Sequence, residues 1–248
     1  MPVSLCYHAI SDRLDSPLAV TPARLREHMR VIASAGFDVI TESELERRRQ
    51  SGENCSRLAS VSFDDGYVST LVARDVLAEF GFTGTAYILP TMIGSREPMR
   101  WRGIEQWADG PDRDELLPLD WDQVEQLKAS GWEIGSHTLT HPDLTALDDA
   151  ALRRELRGAR EQIVERLGRC DSIAYPYGLA DHRVAAAAKA AGFTNGTTLP
   201  GWIHYNEPLL RPRLGIYRND APWRYRVKIS PLLTTLRSLP LRFAKRSS

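Results

Sequence analysis

Short apolar segments alternate with amphipathic segments along most of this 248-residue chain. The apolar segments have the length and residue types of β-strands, and the segments between them have the period of helices. This alternation predicts parallel βαβ units, and six to eight such units favour a barrel. A single α/β barrel commonly reaches this length, so we predict one domain over residues 1–248. The predicted strands are VSLCYH, DVIT, LASVSFDDG, TGTAYILP, WEIGSH, SIAYPYG, FTNGTTL and LLRPRLGIYR.

Polar side chains stand at the carboxyl ends of several predicted strands. His8 ends the first strand, Asp64 and Asp65 end the third, His137 ends the fifth, and Tyr177 lies near the end of the sixth. The carboxyl ends of parallel strands meet at one mouth of a barrel, where active sites are built. We therefore expect these residues to converge on one site.

The segment 91–119 is longer than an ordinary connection and contains Trp101 and Trp107. Long connections of this kind are often binding loops. Aromatic faces suit sugar rings, so the two tryptophans are candidates for a glycan platform. Packing within the insertion explains them equally well.

The C-terminal tail, from about residue 222, is basic and contains no acidic residue. Its leucines alternate with Arg and Lys, a pattern that suits peripheral contact with an anionic membrane surface. The alternative is a helix packed on the barrel and followed by a frayed end. Pro231 and Pro240 favour this alternative, because they interrupt any long helix.

The charge balance and the cysteine content indicate which binding partners and which cellular compartment to expect. Lys plus Arg equals Asp plus Glu at 32 each, so we expect no nucleic-acid partner, which would normally need a basic excess. Cys6, Cys55 and Cys170 form no CxxC pair, which favours a reducing compartment. The first residues lack a secretory pattern, and no segment approaches the ~18 apolar residues of a membrane span. We expect a cytoplasmic protein, and if the tail does contact a membrane, the inner membrane face is the expected side.

Three short motifs carry residues suited to metal chemistry. SFDDGY (62–67) places two carboxylates side by side, and a proton or a cation such as a metal relieves their repulsion. SHTLTH (136–141) offers His137 and His141, and two imidazoles with one carboxylate describe a catalytic zinc-type site. AYPYG (174–178) suits a backbone N–H aimed at a developing oxyanion. Taken singly, each motif is also explained by a plain turn or by surface histidines.

In this order, SFDDGY, SHTLTH and AYPYG resemble the motifs of the polysaccharide deacetylase family, which is carbohydrate esterase family 4 or the NodB homology domain. The likeness covers about residues 1–215. It implies a distorted (β/α) barrel, for which we predict about seven parallel strands, and metal-dependent hydrolysis of N-acetyl groups on sugars. Asp64 then corresponds to the general base, and the backbone N–H of Tyr177 to the oxyanion donor. The corresponding metal ligands are Asp65, His137 and His141.

The chain departs from the family pattern at two points. Ala174 stands where the third motif usually begins with an arginine, and the usual catalytic-acid histidine near the C-terminal end of the domain is missing. CYHAI resembles the N-terminal YH of circularly permuted members that deacetylate poly-N-acetylglucosamine, which implies that His8 is the general acid. Arg213 is the candidate for the missing arginine, with Arg211 as the alternative.

The function that follows from this resemblance is metal-dependent removal of N-acetyl groups from amino sugars of a polysaccharide or a glycan precursor, with Zn²⁺ as the expected metal. One alternative is a deformylase or deacetylase that acts on a lipid-linked or small amide substrate. Another is a non-catalytic glycan-binding protein on the same fold. The sugar, the chain length and the oligomeric state stay open.

Overall fold

A parallel sheet lies at the centre of the protein in the computed structural model, which describes residues 2–199 and 207–230. Eight α-helices and short 3₁₀ helices connect the strands within this part of the chain. The strands are β1 (Val3–Tyr7), β2 (Asp38–Val39), β3 (Leu58–Phe63), β4 (Thr85–Ile88), β5 (Glu133–Ser136), β6 (Ser172–Ala174), β7 (Asn195–Thr198), β8 (Arg211–Pro212) and β9 (Leu214–Gly215). The helices are α1 (Pro22–Ser34), α2 (Glu42–Gln50), α3 (Thr70–Ala78), α4 (Glu105–Ala108), α5 (Trp121–Ala129), α6 (Asp149–Leu167), α7 (His182–Ala191) and α8 (Pro222–Ile229).

The two edges of the sheet meet on one short segment of chain. The strand order is β8-β7-β6-β5-β4-β3-β1-β9, and β2 pairs with β3 beside this path. β8 pairs with β7 and β9 pairs with β1, yet only Arg213 separates β8 from β9. The segment 211–215 therefore pairs with both edges of the sheet, and the sheet is nearly closed into a barrel. This confirms the predicted (β/α) barrel, whose ring has about seven parallel strands when β8 and β9 are taken as one.

Burial explains why the strands form where the sequence predicts them. Every residue of β1 and of β3 is buried, as expected for strands of a parallel sheet that is covered by helices. The helix starts follow the usual capping chemistry: Thr21 accepts a hydrogen bond from the backbone N–H of Arg24 at the start of α1, and Asp120 forms a capping box with Gln123 at the start of α5.

A second, smaller apolar cluster lies beside the main core, and we call it the cap cluster. It joins the insertion 91–119 to the loop that follows β1. Polar contacts support the same junction: the indole N–H of Trp107 donates to the carbonyl of Asp15 over 2.7 Å, and Arg13 pairs with Asp114 over 2.7 Å. Its members are Ala9, Leu14, Ala19, Tyr67, Leu89, Met99, Ile104, Ala108 and Leu116, with Leu18, Met92, Trp101 and Trp107 packed against them.

The first part of the C-terminal tail is a helix on the barrel wall. In α8, Tyr225 and Ile229 are buried, whereas Trp223 and Val227 are exposed. The ring of Tyr225 stacks on His28 of α1 with centroids 4.1 Å apart. The rest of the tail, residues 231–248, lies outside the described residues, as does most of its predicted membrane contact.

Within residues 2–199 and 207–230, none of the helices has the length and apolar content needed to span a membrane.

Candidate active site

The predicted site residues meet at the carboxyl ends of the strands. His8 directly follows β1, Asp64 directly follows β3, and His137 directly follows β5. Tyr177 lies in the 3₁₀ turn that follows β6. The common position arises because all these strands are parallel neighbours in one sheet.

Asp65, His137 and His141 form a compact buried cluster. The His137 Nε2 atom lies 3.3 Å from Asp65 Oδ1, and the His141 Nε2 atom lies 3.6 Å from the same oxygen. One donor atom from each residue falls within 4.8 Å of the others. Asp65 Oδ1 is buried and has no hydrogen-bond partner among residues 2–199 and 207–230, which is costly for a carboxylate oxygen unless something else satisfies it.

The electrostatics of this cluster favour a bound cation. The Nδ1 atom of His137 lies 2.8 Å from the carbonyl oxygen of Ala174, and since a carbonyl only accepts, Nδ1 carries a proton and donates it. Burial lowers the pKa of His137, but Asp65 and Asp64 outweigh it and raise that pKa above its ordinary value. Burial lowers the pKa of His141 to about 3, so this imidazole is neutral. Burial raises the pKa of Asp65, but the neighbouring histidines outweigh it and leave that pKa below its ordinary value. Two imidazoles and one carboxylate form a donor set suited to a catalytic divalent metal, whose positive charge would take the place of a proton on His137 Nε2.

Backbone strain is concentrated in the same three motifs. Among the described residues, the non-glycine residues with positive φ are Asp65 (75°), Thr138 (71°), His141 (62°) and Tyr177 (59°). Such conformations cost about 1–3 kcal/mol each and persist only where the surroundings impose them. All four belong to the cluster of Asp65, His137 and His141 or lie next to it. The fold therefore holds these loops in strained backbone conformations around the cluster.

Asp64 faces a different partner from its neighbour Asp65. Both of its oxygens accept hydrogen bonds from the Arg213 guanidinium, over 2.6 and 2.7 Å. Arg213 is fully buried, donates also to Ser62 Oγ over 2.8 Å, and lies over the ring of Tyr87 at 5.3 Å. Burial raises the pKa of Asp64, but Arg213 outweighs it and holds that pKa well below its ordinary value. Asp64 is therefore a carboxylate.

The two arginine candidates have different partners. Arg211 pairs with Glu46 of α2 over 2.7 and 2.9 Å, while Arg213 pairs with Asp64. Of the two, Arg213 is therefore the one that contacts Asp64, and it does so from the segment between β8 and β9.

His8 lies close to Asp64. It is half-buried, and one of its ring nitrogens lies within 4.8 Å of donor atoms of both Cys6 and Asp64. Its Nδ1 atom is buried, and no described residue forms a hydrogen bond with it. A histidine next to an ionised carboxylate, at the mouth of the barrel, is well placed for proton transfer.

Two aromatic residues enclose His141. Trp101 of the insertion stacks on its imidazole, with ring centroids 4.1 Å apart and 19° between the planes. Tyr177 meets the same ring edge-on at 4.7 Å. Trp107 packs against the cap cluster. The two tryptophans thus differ, since Trp101 touches the site and Trp107 packs within the insertion.

Sequence reasoning missed several residues that support Asp64. The Cys6 thiol donates to Asp64 Oδ2 over 3.3 Å, and Ser62 and Tyr87 contact Arg213. Cys6 stands two positions before His8, and Ser62 two positions before Asp64. Because strand side chains alternate between faces, this spacing was the available signal that both point to the site's side of the sheet.

Comparison with known proteins places these features in a family. The family described as polysaccharide deacetylase matches residues 51–196. Over 204 residues the chain is 24% identical to YxkH of Bacillus subtilis (strain 168), which is named as a polysaccharide deacetylase; the match covers 79% of this chain and 64% of YxkH. Over 106 residues it is 46% identical to the chitooligosaccharide deacetylase of Rhizobium leguminosarum bv. trifolii, covering 42% of this chain and 38% of that protein. The match thus spans less than two thirds of either relative.

Solved structures confirm the fold. A polysaccharide deacetylase from Bacillus cereus superposes with a TM-score of 0.75 at 22% identity, over 92% of this chain and 69% of that one.

Proposed function

The chain belongs to the polysaccharide deacetylase family, and on that premise we propose that it is a metal-dependent hydrolase that removes N-acetyl groups from amino sugars of a polysaccharide or a glycan precursor. One observation carries the proposal: a buried, ionised Asp64 stands beside the cluster of Asp65, His137 and His141. Metal-dependent hydrolysis of an amide needs an ionised general base beside residues that can hold a metal.

In this proposal Asp65, His137 and His141 hold the metal, and Zn²⁺ is the ion that best suits their donor set. When bound, the ion supplies Lewis acidity that polarises the amide carbonyl and lowers the pKa of a water molecule. The hydrogen bond from His137 to the Ala174 carbonyl fixes the ring orientation, and the other ring nitrogen would serve as the ligand.

Asp64 takes the proton from the water that attacks the acetyl carbonyl carbon. Its role needs a carboxylate that stays ionised and does not rotate away. Arg213 meets both needs through its two hydrogen bonds, and the Cys6 thiol adds a third donor. Removal of a positioned general base typically costs 10²–10⁴-fold in rate, so about that loss is expected without Asp64.

His8 delivers a proton to the nitrogen of the sugar amine as the C–N bond breaks. The nitrogen leaves poorly as an anion, so cleavage of the C–N bond depends on a nearby acid. His8 lies close enough to Asp64 to fill this role. The products are acetate and the free amino sugar. The backbone N–H of Tyr177 remains the predicted donor to the oxyanion of the tetrahedral intermediate.

We propose that the reaction takes place in the cytoplasm, and the buried, free thiols of Cys6, Cys55 and Cys170 support this proposal. A lipid-linked glycan is the second candidate substrate. It is favoured by α8, whose exposed Trp223 and Val227 stand among the basic residues Arg224 and Arg226, since aromatic and basic side chains together suit an anionic membrane surface.

A glycan-binding protein without activity is the remaining alternative. It has no chemical need for an arginine-supported Asp64 together with His8 and a complete metal cluster, and this is the reason to favour the enzyme.

The proposal is tested by mass spectrometry of N-acetylglucosamine oligomers incubated with the zinc-loaded protein. Loss of acetyl mass supports the deacetylase. If the oligomers are unchanged while zinc is bound, formylated and lipid-linked substrates are tried next. Failure on all of them leaves glycan binding as the function.

A further inference from the structure

The two histidines of the metal cluster are held in different ways. A histidine that ligates a metal almost always donates its second ring N–H to a carbonyl, a carboxylate or a water, which fixes its orientation. His137 follows this rule through the Ala174 carbonyl. The Nδ1 atom of His141 is buried and has no hydrogen-bond partner among the described residues. Within the described part of the chain, contacts of another kind bear on the orientation of the His141 ring.

Packing supplies that orientation. The indole of Trp101 lies nearly parallel to the His141 imidazole, with centroids 4.1 Å apart, and Tyr177 closes the edge at 4.7 Å. Stacking of this kind fixes the plane of the imidazole.

Trp101 is itself fixed by the insertion. It packs against the cap cluster, and its carbonyl accepts a hydrogen bond from the N–H of Ile104 over 3.1 Å. On its other side, the N–H of Met99 donates to the carbonyl of Leu116 over 2.9 Å. The indole is therefore fixed by its packing on the cap cluster, and it is the part of the insertion that stacks on a histidine of the site.

We propose that Trp101 is a positioning residue for the metal site. It holds the His141 imidazole in the orientation of a ligand and takes the place of the missing hydrogen bond at Nδ1. The inference rests on the proposed function, because it assumes the metal held by Asp65, His137 and His141. Its consequence is that zinc affinity depends on a residue of the insertion that is not itself a ligand.

The test measures zinc affinity by competition with a chromophoric chelator, so it does not depend on activity. Four proteins are compared: the wild type, Trp101→Leu, Trp101→Phe and Trp107→Leu. Loss of groups that orient a ligand typically costs 10–100-fold in metal affinity, so Trp101→Leu should bind zinc at least about tenfold more weakly. Trp101→Phe keeps a ring and should recover part of the loss. Trp107→Leu removes apolar bulk and the hydrogen bond to Asp15 from the cap cluster without touching His141, and its affinity should match that of the wild type.

Equal affinity of the wild type and Trp101→Leu overturns the inference. So does an equal loss in Trp107→Leu, because that would trace the effect to the cap as a whole. If Trp101→Leu does not fold, Trp101→Phe and Trp107→Leu still decide the question by their order of affinity. A wild-type protein that binds no zinc overturns the proposed metal site along with the inference, so the two failures are distinguishable.

Discussion

Arg213 and Asp64 form a buried, bidentate ion pair at the point where the barrel closes. They are 149 residues apart in the chain, and both hydrogen bonds are 2.7 Å or shorter. Arg213 is the residue at which the last strand is interrupted, between β8 and β9. The same segment therefore closes the sheet and supports the proposed base.

Arg213→Lys should reduce kcat roughly ten- to hundredfold, with zinc content unchanged. A lysine keeps the charge but cannot donate to both oxygens of Asp64, and one lost hydrogen bond to a charged group is worth about 1.5–3 kcal/mol. Steady-state acetate release is the measurement. Arg211→Lys, at the arginine that pairs with Glu46, is the matched control and should keep wild-type kcat. Equal losses in the two variants would contradict the assignment.

Arg213→Met should also destabilise the fold. It leaves Asp64 as an unpaired charge in a site where only 2% of its surface is exposed. Removal of one partner of a buried ion pair costs about 3–5 kcal/mol. The free energy of unfolding from urea titration at neutral pH should fall by about that amount. A loss below about 1 kcal/mol would mean that the pair is not buried in solution as described.

The adjacent carboxylates should separate in a metal assay. Asp64→Asn should retain zinc and lose about 10²–10⁴-fold in turnover, because Asp64 serves as the base. Asp65→Asn should lose zinc, because Asp65 contacts both histidines of the cluster. Metal content by plasma mass spectrometry on dialysed protein distinguishes them. Zinc loss in Asp64→Asn together with full retention in Asp65→Asn would reverse the two roles.

His8→Ala should matter most where the leaving group is poor. An N-acetyl sugar needs a proton on its departing nitrogen, whereas an aryl acetate releases a stable phenolate without one. The variant should therefore lose far more kcat on the amide than on the ester, at unchanged zinc content. Wild-type turnover of the amide would remove His8 from the mechanism.

His28 should make the fold sensitive to acid, away from the active site. Its Nε2 atom lies 2.9 Å from the carbonyl of Asp220, and Tyr7 contributes a hydroxyl 3.1 Å from Nδ1. Burial lowers the pKa of His28 to about 4, so the unfolded chain, with its ordinary pKa of about 6.5, binds the proton more readily. Stability is thus complete above about pH 6.5 and declines as the pH falls towards 4.

The size of this loss of stability follows from the difference in proton binding between the folded and the unfolded states. Between pH 7.5 and pH 5 the free energy of unfolding should lose roughly 2 kcal/mol through His28. His28→Gln lacks the titrating group, so urea titrations at the two pH values should show a decline smaller by that amount. An equal decline in both proteins would show that His28 is already protonated in the native state near pH 5.

The barrel and the position of the site followed from the sequence for a physical reason. Parallel strands are buried on both faces, so they read as apolar runs, and their carboxyl ends meet at one mouth. This was enough to bring together His8, Asp64, His137 and Tyr177. The proximity of His137 and His141 was predictable too, because only three residues separate them directly after β5.

Other features depend on contacts that no local pattern encodes. Arg211 and Arg213 are equivalent in the sequence, and only the break between β8 and β9 turns Arg213 towards Asp64. The stack of Trp101 on His141 depends on how the insertion folds over the mouth, which is set by the cap cluster. Tertiary packing decides both features. From the sequence alone, either Arg211 or Arg213 could support Asp64, and Trp101 could either contact a glycan or pack within the insertion.

The central claim is that a metal held by Asp65, His137 and His141 enables hydrolysis of an N-acetylated amino sugar with Asp64 as the base. The most direct measurement is acetate release from N-acetylglucosamine oligomers by metal-free protein as zinc is added back. The account predicts no release without metal, a rise that saturates at about one zinc per chain, and no rise in Asp64→Asn even though it binds the same zinc. Hydrolysis that proceeds equally without metal, or that Asp64→Asn supports at the wild-type rate, would contradict it.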